Sequence, residues 1–307
     1  MKRVDAILVG DIHLRENKPI CRTDDWEKVM KTKLTLIKDT AKKYNVPVIC
    51  AGDVFHTWNA SPWLISFALE FLPDNMITIA GNHDIPRHNP NLIQWSAIHT
   101  LAKAGKIKLL DNTNNYIVRN SFQIIPFPFG SLIDKEFSPF DINLPAIAVI
   151  HKFVYDSKCQ DWEKTVGTCA KSLLSQLSRP RERGGKISTA LVGDNHKAFE
   201  IKSNEALLLN PGSIFRMTSD QKNFKPRFYL WNSDNEFEAI YFPINNNDVT
   251  DEHINDKGID EERMLAFLNR MREDIEIGLD FRTNMKEYLA KNKIKIGVEE
   301  KIWQAMM

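Results

Sequence analysis

Five short apolar runs, each followed by a polar cluster, dominate the hydrophobic pattern of this chain. They span residues 6–9, 46–51, 76–80, 146–150 and 190–192. Runs of this length, rich in β-branched residues, are typical of buried strands. Open α/β sheets build their sites just beyond the carboxyl ends of the strands. The pattern therefore predicts that the five polar clusters lie at one sheet edge.

A segment with helical periodicity separates the first two of these runs. Residues 24–44 carry apolar side chains at helical spacing, and Asn45 and Pro47 mark the end of that helix. Residues 61–71 and 91–102 are also predicted helices. A half that is richer in strands comes next, with predicted strands at 106–110, 115–118, 122–126, 206–209, 227–231 and 236–242. This order predicts an α/β fold in which two packed sheets lie between outer helices.

The composition becomes polar after residue 244. We therefore expect a large domain at 1–244, a polar linker at 245–258 and a helical C-terminal extension at 259–307. Residues 261–275 and 284–290 are the predicted helices of this extension, and the first of them has an apolar stripe. A tail that packs on its own domain is favoured over a partner-binding element, and both interpretations stay open.

Charge and cysteine content narrow the classes of function. With 41 basic and 40 acidic residues the net charge is +1, so nucleic-acid binding must rest on local patches. The four cysteines show no C-x-x-C spacing, and Cys50 lies in a predicted buried strand, which favours the reducing cytoplasm. The apolar stretch between Asp5 and Asp11 is too short for a signal peptide. No run approaches the ~20 apolar residues of a membrane span, so we expect no membrane partner.

The polar clusters share residue types that bind metal ions. The candidate metal ligands are Asp11, His13, Asp53, Asn82, His151, Asp194 and His196. Residues two apart on an extended segment point to the same side, so Asp11 and His13 can share one cation. Each residue alone is better explained as an ordinary polar residue of a turn. Their repetition beyond five predicted strands indicates a metal site.

The same segments resemble the five sequence blocks of the calcineurin-like metallophosphoesterases, over about residues 3–243. The matching segments are Asp11-Ile-His13, Gly52-Asp53, Gly81-Asn-His-Asp84, His151 and Asp194-Asn-His196. Within that superfamily the chain is most similar to the SbcD/meiotic-recombination type of DNA nuclease. The segments that carry this closer resemblance are Asp11-Ile-His13-Leu14, Gly52-Asp-Val-Phe-His56, Ser61-Pro62 and Asn210-Pro-Gly-Ser213.

The resemblance implies a four-layer αββα sandwich of two mixed β-sheets flanked by helices, plus the small helical extension. It also implies two divalent metal ions. One would be held by Asp11, His13, Asp53 and His196, and the other by Asp53, Asn82, His151 and Asp194, with Asp53 bridging. Mn²⁺ is the favoured ion, with Fe²⁺, Zn²⁺ and Mg²⁺ as alternatives. Two cations ~3.5–4 Å apart would activate a hydroxide for in-line phosphodiester hydrolysis.

Three further residues are candidates for catalytic roles. His83 is expected to act as the general acid on the leaving oxygen, with the Asp84 carboxylate orienting its imidazole. The resemblance links His56 to orienting the phosphodiester for exonucleolytic cleavage. The alternatives are a packing role for His83 and an ordinary surface position for His56.

Asp194 departs from the family pattern, which has a histidine there. A carboxylate is a competent ligand for hard cations, but with Asp11 and Asp53 it lowers the formal charge of a two-cation site from +2 to +1. The change favours Mn²⁺ or Mg²⁺ at the second position and weakens the attraction for phosphate. The alternative is a solvated turn residue that binds no metal.

DNA contacts have two candidate sources in the sequence. The basic segment with Arg179, Arg181, Arg183 and Lys186 is one source of phosphate contacts, although a solvated loop explains it at least as well. Trp58 and Trp63 could stack on an unpaired base, but such aromatic residues are more often core. Family habit also suggests an SbcC-like ATPase partner and a homodimer.

Three functions are compatible with these residues. The first is a metal-dependent DNA exonuclease or endonuclease. The second is a phosphoesterase acting on nucleotides or other small phosphodiesters, because the same centre would serve both substrates. The third is a non-catalytic binding module, which the presence of Asn82, His83 and His151 disfavours.

Overall fold

The computed structural model describes residues 3–113, 115–133, 141, 143–179, 187–203 and 206–252. Two six-stranded mixed sheets pack face to face, and helices cover their outer faces. The prediction of an α/β sandwich of two mixed sheets is therefore confirmed. The predicted helical extension lies outside the described residues.

The first sheet contains six strands in the spatial order β14-β13-β1-β2-β3-β4. Their bounds are Ala6–Val9 for β1, Val48–Cys50 for β2, Met76–Ile79 for β3, Ile107–Leu110 for β4, Arg227–Trp231 for β13 and Phe237–Tyr241 for β14. Strands β1 to β4 are parallel, whereas β13 and β14 are antiparallel additions beside β1. Parallel pairing brings the carboxyl ends of the first three strands together.

The second sheet has the spatial order β11-β12-β10-β7-β6-β5. Its strands are Tyr116–Val118 for β5, Phe122–Phe127 for β6, Ala146–His151 for β7, Thr189–Gly193 for β10, Phe199–Lys202 for β11 and Leu207–Asn210 for β12. The four central strands β12, β10, β7 and β6 are parallel. Two short strands, β8 (Val154–Tyr155) and β9 (Thr168–Cys169), form a separate ladder.

Five α-helices lie among the described residues. They are α1 (Trp26–Tyr44), α2 (Pro62–Phe71), α3 (Ala97–Lys103), α4 (Asp161–Val166) and α5 (Ala170–Leu177). Helices α1 to α3 pack on the first sheet, and α5 packs on the second, each through an apolar core layer. A third apolar layer fills the space between the two sheets. None of the helices in the described ranges is long and apolar enough to cross a membrane.

Helix α1 has the local signals that its sequence predicts. The Asp25 side chain accepts a hydrogen bond from the Lys28 amide at 3.1 Å and caps the first turn. Asn45 adopts φ 53°, and its amide bonds to carbonyl oxygens of the last turn. The predicted helix at 24–44 therefore begins and ends close to its expected bounds.

The region 91–102 differs from its prediction as one helix. It contains a 3-10 helix, Pro90–Trp95, and then α3, which begins after Ser96. The Ser96 hydroxyl accepts a hydrogen bond from the His99 amide at 3.3 Å, so it caps a new helix and interrupts the first one. The Ser96 cap therefore interrupts the segment that the apolar periodicity predicts as one continuous helix.

Part of the segment predicted as a linker packs on the large domain. Val249 is buried and bridges to Arg22, and the buried guanidinium of Arg216 donates to the carbonyl oxygen of Asn245 at 2.7 Å. Arg216 also pairs with the Asp248 carboxylate at 3.3 Å. The compact unit formed by the large domain extends to Asp251. The boundaries at 244 and 258 stay a prediction, because 253–307 lie outside the described residues.

Candidate metal centre

The seven candidate ligands come together at the carboxyl ends of five strands. Asp11 and His13 follow β1, Asp53 follows β2, and Asn82 follows β3 in the first sheet. In the second sheet, His151 ends β7, and Asp194 and His196 follow β10. The parallel register pairs Gly193 with His151, which brings these two strand ends level. The structure thus gathers all seven residues at one edge of the sandwich.

The buried carboxylate of Asp53 lies at the centre of this group. Its Oδ2 atom is 3.4 Å from Nε2 of His13 and 3.5 Å from Nε2 of His151. This oxygen has no hydrogen-bond partner, although it is buried. The other oxygen, Oδ1, accepts the amide of His83 at 3.0 Å. One carboxylate oxygen therefore faces two imidazoles from opposite sheets, as expected for a bridging ligand.

On the first side of Asp53, two imidazole nitrogens approach each other closely. Nε2 of His13 lies 2.9 Å from Nε2 of His196. Imidazole nitrogens this close to each other would be suited to hold one cation together. Oδ2 of Asp11 is 3.9 Å from Nε2 of His196. Asp11, His13 and His196 therefore form a compact donor set.

On the second side of Asp53, a backbone carbonyl oxygen orients the His151 imidazole. Its Nδ1 lies 2.7 Å from the Ala51 carbonyl oxygen and donates to it, so Nε2 faces the Asn82 carbonyl oxygen at 2.9 Å. Metal-binding histidines commonly donate their second ring N–H to such an oxygen, which fixes the tautomer. Asp11, Asp53 and His151 form a second compact donor cluster. The structure places Asn82 within reach of the same nitrogen.

Asp194 is placed differently from the other candidates. Its backbone amide donates to both oxygens of Asp11, each at 3.1 Å. Its carboxylate does not join the compact donor clusters formed by the described residues, but it lines a cavity together with His151. The role of Asp194 as ligand therefore stays a prediction. Its backbone amide orients the Asp11 carboxylate.

Without a cation, the buried carboxylates of the site have little positive charge around them. Burial raises the pKa of Asp11 to about 7, and it lowers the pKa of His13 and of His196. Burial opposes a charge on His151 as well, yet the carboxylates of Asp53 and Asp11 raise its pKa to about 10. His13 and His196 therefore present neutral nitrogens, and the His151 imidazolium partly offsets the buried carboxylates. A divalent cation would supply this positive charge directly.

The backbone at the ligands adopts a rare conformation. His13, Asp53 and Asp194 have φ values of 50°, 51° and 82°. Left-handed backbone at residues other than glycine costs about 1–3 kcal/mol each and is concentrated at functional sites. These turns come immediately after their strands, and two of them direct the His13 and Asp53 side chains into the centre.

Two glycines allow the ligand segments to approach each other. A Cβ on Gly81 would lie 2.0 Å from Oδ1 of Asp53. A Cβ on Gly52, which has φ 106°, would lie 2.6 Å from Nδ1 of His151. Side chains at either position would displace the two ligands, so the Gly-Asp and Gly-Asn segments need glycine for steric reasons.

These donors fit divalent metal ions. The unpartnered Asp53 oxygen is the deciding observation, because a buried carboxylate oxygen without a hydrogen bond is costly unless a cation approaches it. The surrounding donors are imidazole nitrogens and oxygens, and no thiol belongs to the donor clusters of the described residues. Such a mixed set suits borderline and hard divalent cations. The division of these donors into two ligand groups that share Asp53 stays a prediction, since Asp11 belongs to both compact clusters.

The predicted partner of His83 needs a correction. Nδ1 of His83 lies 2.7 Å from the carbonyl oxygen of His56, and this oxygen orients the ring. The Asp84 carboxylate instead accepts the amides of Val54, Phe55 and Gly81 at 3.2, 3.1 and 3.1 Å. Asp84 thus ties the segment after β2 to the segment after β3, because a buried carboxylate needs several donors. Its role is structural rather than orienting.

The His56 imidazole stacks on His83, with ring centroids 5.4 Å apart. Both rings also contact His13 edge-on, at 5.7 and 4.8 Å between centroids. Burial, followed by the nearby Arg15 guanidinium, lowers the pKa of His56 to about 4. His56 is therefore neutral at physiological pH and lies beside the centre, where its sequence position suggested a role.

We predict that Asp84→Ala destabilises the protein by about 2–4 kcal/mol, since three buried amides lose a charged acceptor. Equilibrium denaturation with urea of the metal-free protein measures this loss. Asp234→Ala is a matched control: that carboxylate is exposed and pairs with the exposed Arg3 side chain, so its effect should stay below about 1 kcal/mol. Equal losses in the two variants would contradict the role assigned to Asp84.

Several functional groups of the site give no signal in the sequence. The carbonyl oxygens of Ala51 and His56 orient the two imidazoles, and every residue type has such an oxygen. Asn210 is different, because its side chain donates to the Asn195 carbonyl oxygen at 2.8 Å and accepts the Gly212 amide at 2.9 Å. The Asn210-Pro-Gly-Ser213 segment, noted only for its resemblance, therefore supports the turn that carries His196.

The structure describes only part of the candidate DNA contacts. Of the basic segment, the structure describes Arg179, whereas Arg181, Arg183 and Lys186 lie outside the described residues. Trp63 is partly exposed and stacks on Phe67 of the same helix, at 5.5 Å between ring centroids. Trp58 is also partly exposed. No contact joins either tryptophan to the candidate ligands within the part of the chain that the structure describes.

One comparison with known proteins identifies the family of this chain. The family model of the calcineurin-like phosphoesterases matches residues 6–181, more than half of the 307 residues. No curated protein matches the sequence. An archaeal phosphodiesterase structure is 14% identical, with a TM-score of 0.38, and the match covers 77% of this chain and 99% of that one. A Staphylococcus aureus protein named as a 5′-nucleotidase and solved with α-ketoglutarate is 12% identical, with a TM-score of 0.44, and the match covers 79% of this chain and 56% of that one. The chain belongs to the calcineurin-like phosphoesterase family, whose members are metal-dependent hydrolases of phosphoric esters.

Proposed function

We propose that the protein is a metal-dependent phosphodiesterase that hydrolyses DNA, as an exonuclease or endonuclease of the SbcD-like type. The observation that carries the hydrolytic part is the unpartnered buried oxygen of Asp53 between His13 and His151. Mn²⁺ is the proposed ion, because mixed carboxylate, amide and imidazole donors suit it. When bound, the ions would supply Lewis-acid activation of water and neutralise charge on the phosphate.

The side chains around this centre have separate proposed roles in hydrolysis. Asp53 and Asp11 supply negative charge that holds cations, and His151 is held by Ala51 in the orientation that points Nε2 inward. His83 has Nδ1 bound to the His56 carbonyl oxygen, which leaves Nε2 to give a proton to the leaving oxygen. The proton on Nε2 is replaced from solvent after each turnover, since His83 is only partly buried.

Two features support a phosphodiester chain as substrate. His56 is neutral and stacked beside His83, so it can hydrogen-bond a phosphate oxygen without competing for the proton. The Arg15 guanidinium lies near His56, and its Nε has no hydrogen-bond partner. A positive charge beside the neutral His56 is suited to a phosphate of the backbone.

The competing function is hydrolysis of nucleotides or other small phosphodiesters. The near-neutral net charge of +1 favours it, because this chain lacks the global positive charge that many DNA-binding proteins have. We also propose a cytoplasmic setting, to which four free cysteines are suited. An SbcC-like ATPase partner and a homodimer stay predictions from the family resemblance.

The test uses the full chain with Mn²⁺ on end-labelled linear DNA and on bis-p-nitrophenyl phosphate. Hydrolysis of both substrates, each lost in Asp53→Asn, supports the proposal. Hydrolysis of the small ester with intact DNA refutes the nuclease and favours the small-diester enzyme. No hydrolysis of either substrate, together with bound metal, indicates a binding module. Parallel reactions with Mg²⁺, Zn²⁺ and Fe²⁺ identify the most effective ion.

A further inference from the structure

A second feature of the metal centre is a cavity of about 280 Å³ that opens beside it. His151 and Asp194 lie on its metal side, and Phe129, Lys152 and Phe153 line other parts of it. This volume is close to the lower end of the range for small-molecule sites, about 300 Å³, so the cavity has room for one small group. The cavity is continuous with the candidate ligands, so a molecule in it would lie next to the reacting phosphate.

The aromatic walls of the cavity are held in place. Phe129 follows β6, and its amide donates to the Ala80 carbonyl oxygen at 3.0 Å. Phe153 follows β7, the adjacent parallel strand, and its ring covers Gly167, where an added Cβ would lie 2.7 Å from Cδ1. The indole of Trp162 supports the same ring at 5.8 Å between centroids. The rings therefore need little reordering to accept a flat partner.

One exposed lysine lies beside these rings, in a cavity that Asp194 also lines. Lys152 follows the candidate ligand His151 directly in sequence, is exposed and makes no ion pair within the described ranges. Lys197 lies 6.0 Å from the Trp162 ring and pairs with Glu163 at 3.2 Å. Aromatic faces combined with lysines form the usual surface for single-stranded nucleic acid, in which bases stack and cations track the backbone.

We infer that this cavity binds the unpaired base and sugar next to the scissile phosphodiester, with the base on Phe153 and Lys152 beside the following phosphate. The inference rests on the proposed function, because it assumes a DNA substrate. A base in a duplex is stacked and paired, so it must leave the helix to enter. The protein should therefore act on single strands and frayed ends and show little sequence preference.

The experiment compares two single-stranded oligonucleotides, one intact and one with an abasic residue at the position that is cleaved. With Mn²⁺, the wild-type protein should cleave the intact strand at least about fivefold more efficiently in kcat/KM, since one stacked base has that effect or more. Phe153→Ala should lose most of this preference. Phe153→Leu keeps most of the apolar volume, so it controls for a folding defect. This variant should lose the preference for the intact strand as well.

Tyr44→Ala is the matched aromatic control. Tyr44 is exposed and ends α1, next to the start of β2, so it lies at the sheet edge opposite the metal centre. This variant should keep the wild-type preference for the intact strand. Thermal unfolding and metal content of each variant establish that the comparison involves folded, metal-loaded protein.

Lys152 gives an independent readout, because its side chain is exposed and its replacement should leave folding unchanged. For single strands, each phosphate contact contributes a slope of about 0.7 in the logarithm of affinity against the logarithm of salt concentration. Lys152→Ala should therefore reduce the slope of log KM against log salt concentration by about 0.7.

The outcomes separate this inference from the proposed function. If the protein cleaves neither strand but hydrolyses bis-p-nitrophenyl phosphate, the proposed DNA substrate is wrong. If it cleaves DNA, and the intact and abasic strands react equally well, the cavity does not bind a base. A preference for the intact strand that survives both Phe153 variants likewise overturns the inference.

Discussion

Replacing His83 with alanine is expected to lower kcat for DNA hydrolysis by roughly 10²–10⁴-fold, the range lost when a general acid is removed. The structure leaves Nε2 of His83 available for the leaving oxygen, because Nδ1 is bound to the His56 carbonyl oxygen. The loss should be much smaller with bis-p-nitrophenyl phosphate, since p-nitrophenolate leaves without a proton. Steady-state kinetics with Mn²⁺ on both substrates measure this difference.

His99→Ala is the matched control for this variant. His99 lies near the start of α3, and no role in the centre is assigned to it. Its replacement should leave kcat for both substrates within about twofold of the wild type, as expected for positions outside functional features. Equal losses of His83→Ala on the two substrates would contradict a general acid and indicate that His83 positions the substrate or the metal centre.

Asp53→Asn is expected to remove most of the activity and at least one metal ion. The Asp53 carboxylate faces imidazoles of both predicted ligand groups, so replacing it with a neutral amide would remove negative charge that favours cations at both. Metal catalysis contributes several kcal/mol, which corresponds to a loss of about three orders of magnitude in kcat. The metal content measured by elemental analysis should fall from two ions per chain to one or none.

Thermal unfolding gives a second readout of the same variant. Binding at a concentration 100 times the dissociation constant stabilises a folded protein by about 2.7 kcal/mol. Mn²⁺ should therefore raise Tm of the wild type clearly and that of Asp53→Asn much less. Asp74→Asn, an exposed carboxylate near the start of β3, should respond like the wild type. Full metal content in Asp53→Asn would show that Asp53 is not the bridging ligand.

Much of the candidate site could be predicted from the sequence because its residues lie directly after strands. Apolar runs identified β1, β2, β3, β7 and β10, and residue types identified the polar cluster after each run as potential metal ligands. Parallel strands of one sheet must end at one edge, so a set of strand ends is also a set of neighbours. The class of chemistry was therefore accessible before the fold was known.

Other elements could not be predicted in the same way. Helix α5 is short, and β8 and β9 have two residues each, so their patterns are too brief to distinguish from turns. Asp84 illustrates a different limit, because sequence adjacency to His83 suggested a contact between their side chains. The backbone instead turns the Asp84 carboxylate towards the amides of Val54 and Phe55.

Local periodicity and residue chemistry were enough to predict the fold class, the candidate ligand types and the strand ends that carry them, because both are encoded along the chain. The contacts between individual atoms could not be predicted in this way. The tertiary structure placed Asp53 between His13 and His151, assigned Ala51 and His56 as the carbonyl partners, and turned the Asp194 amide towards Asp11. These contacts join residues from different strands and sheets through backbone groups, and their distances depend on how the two sheets pack.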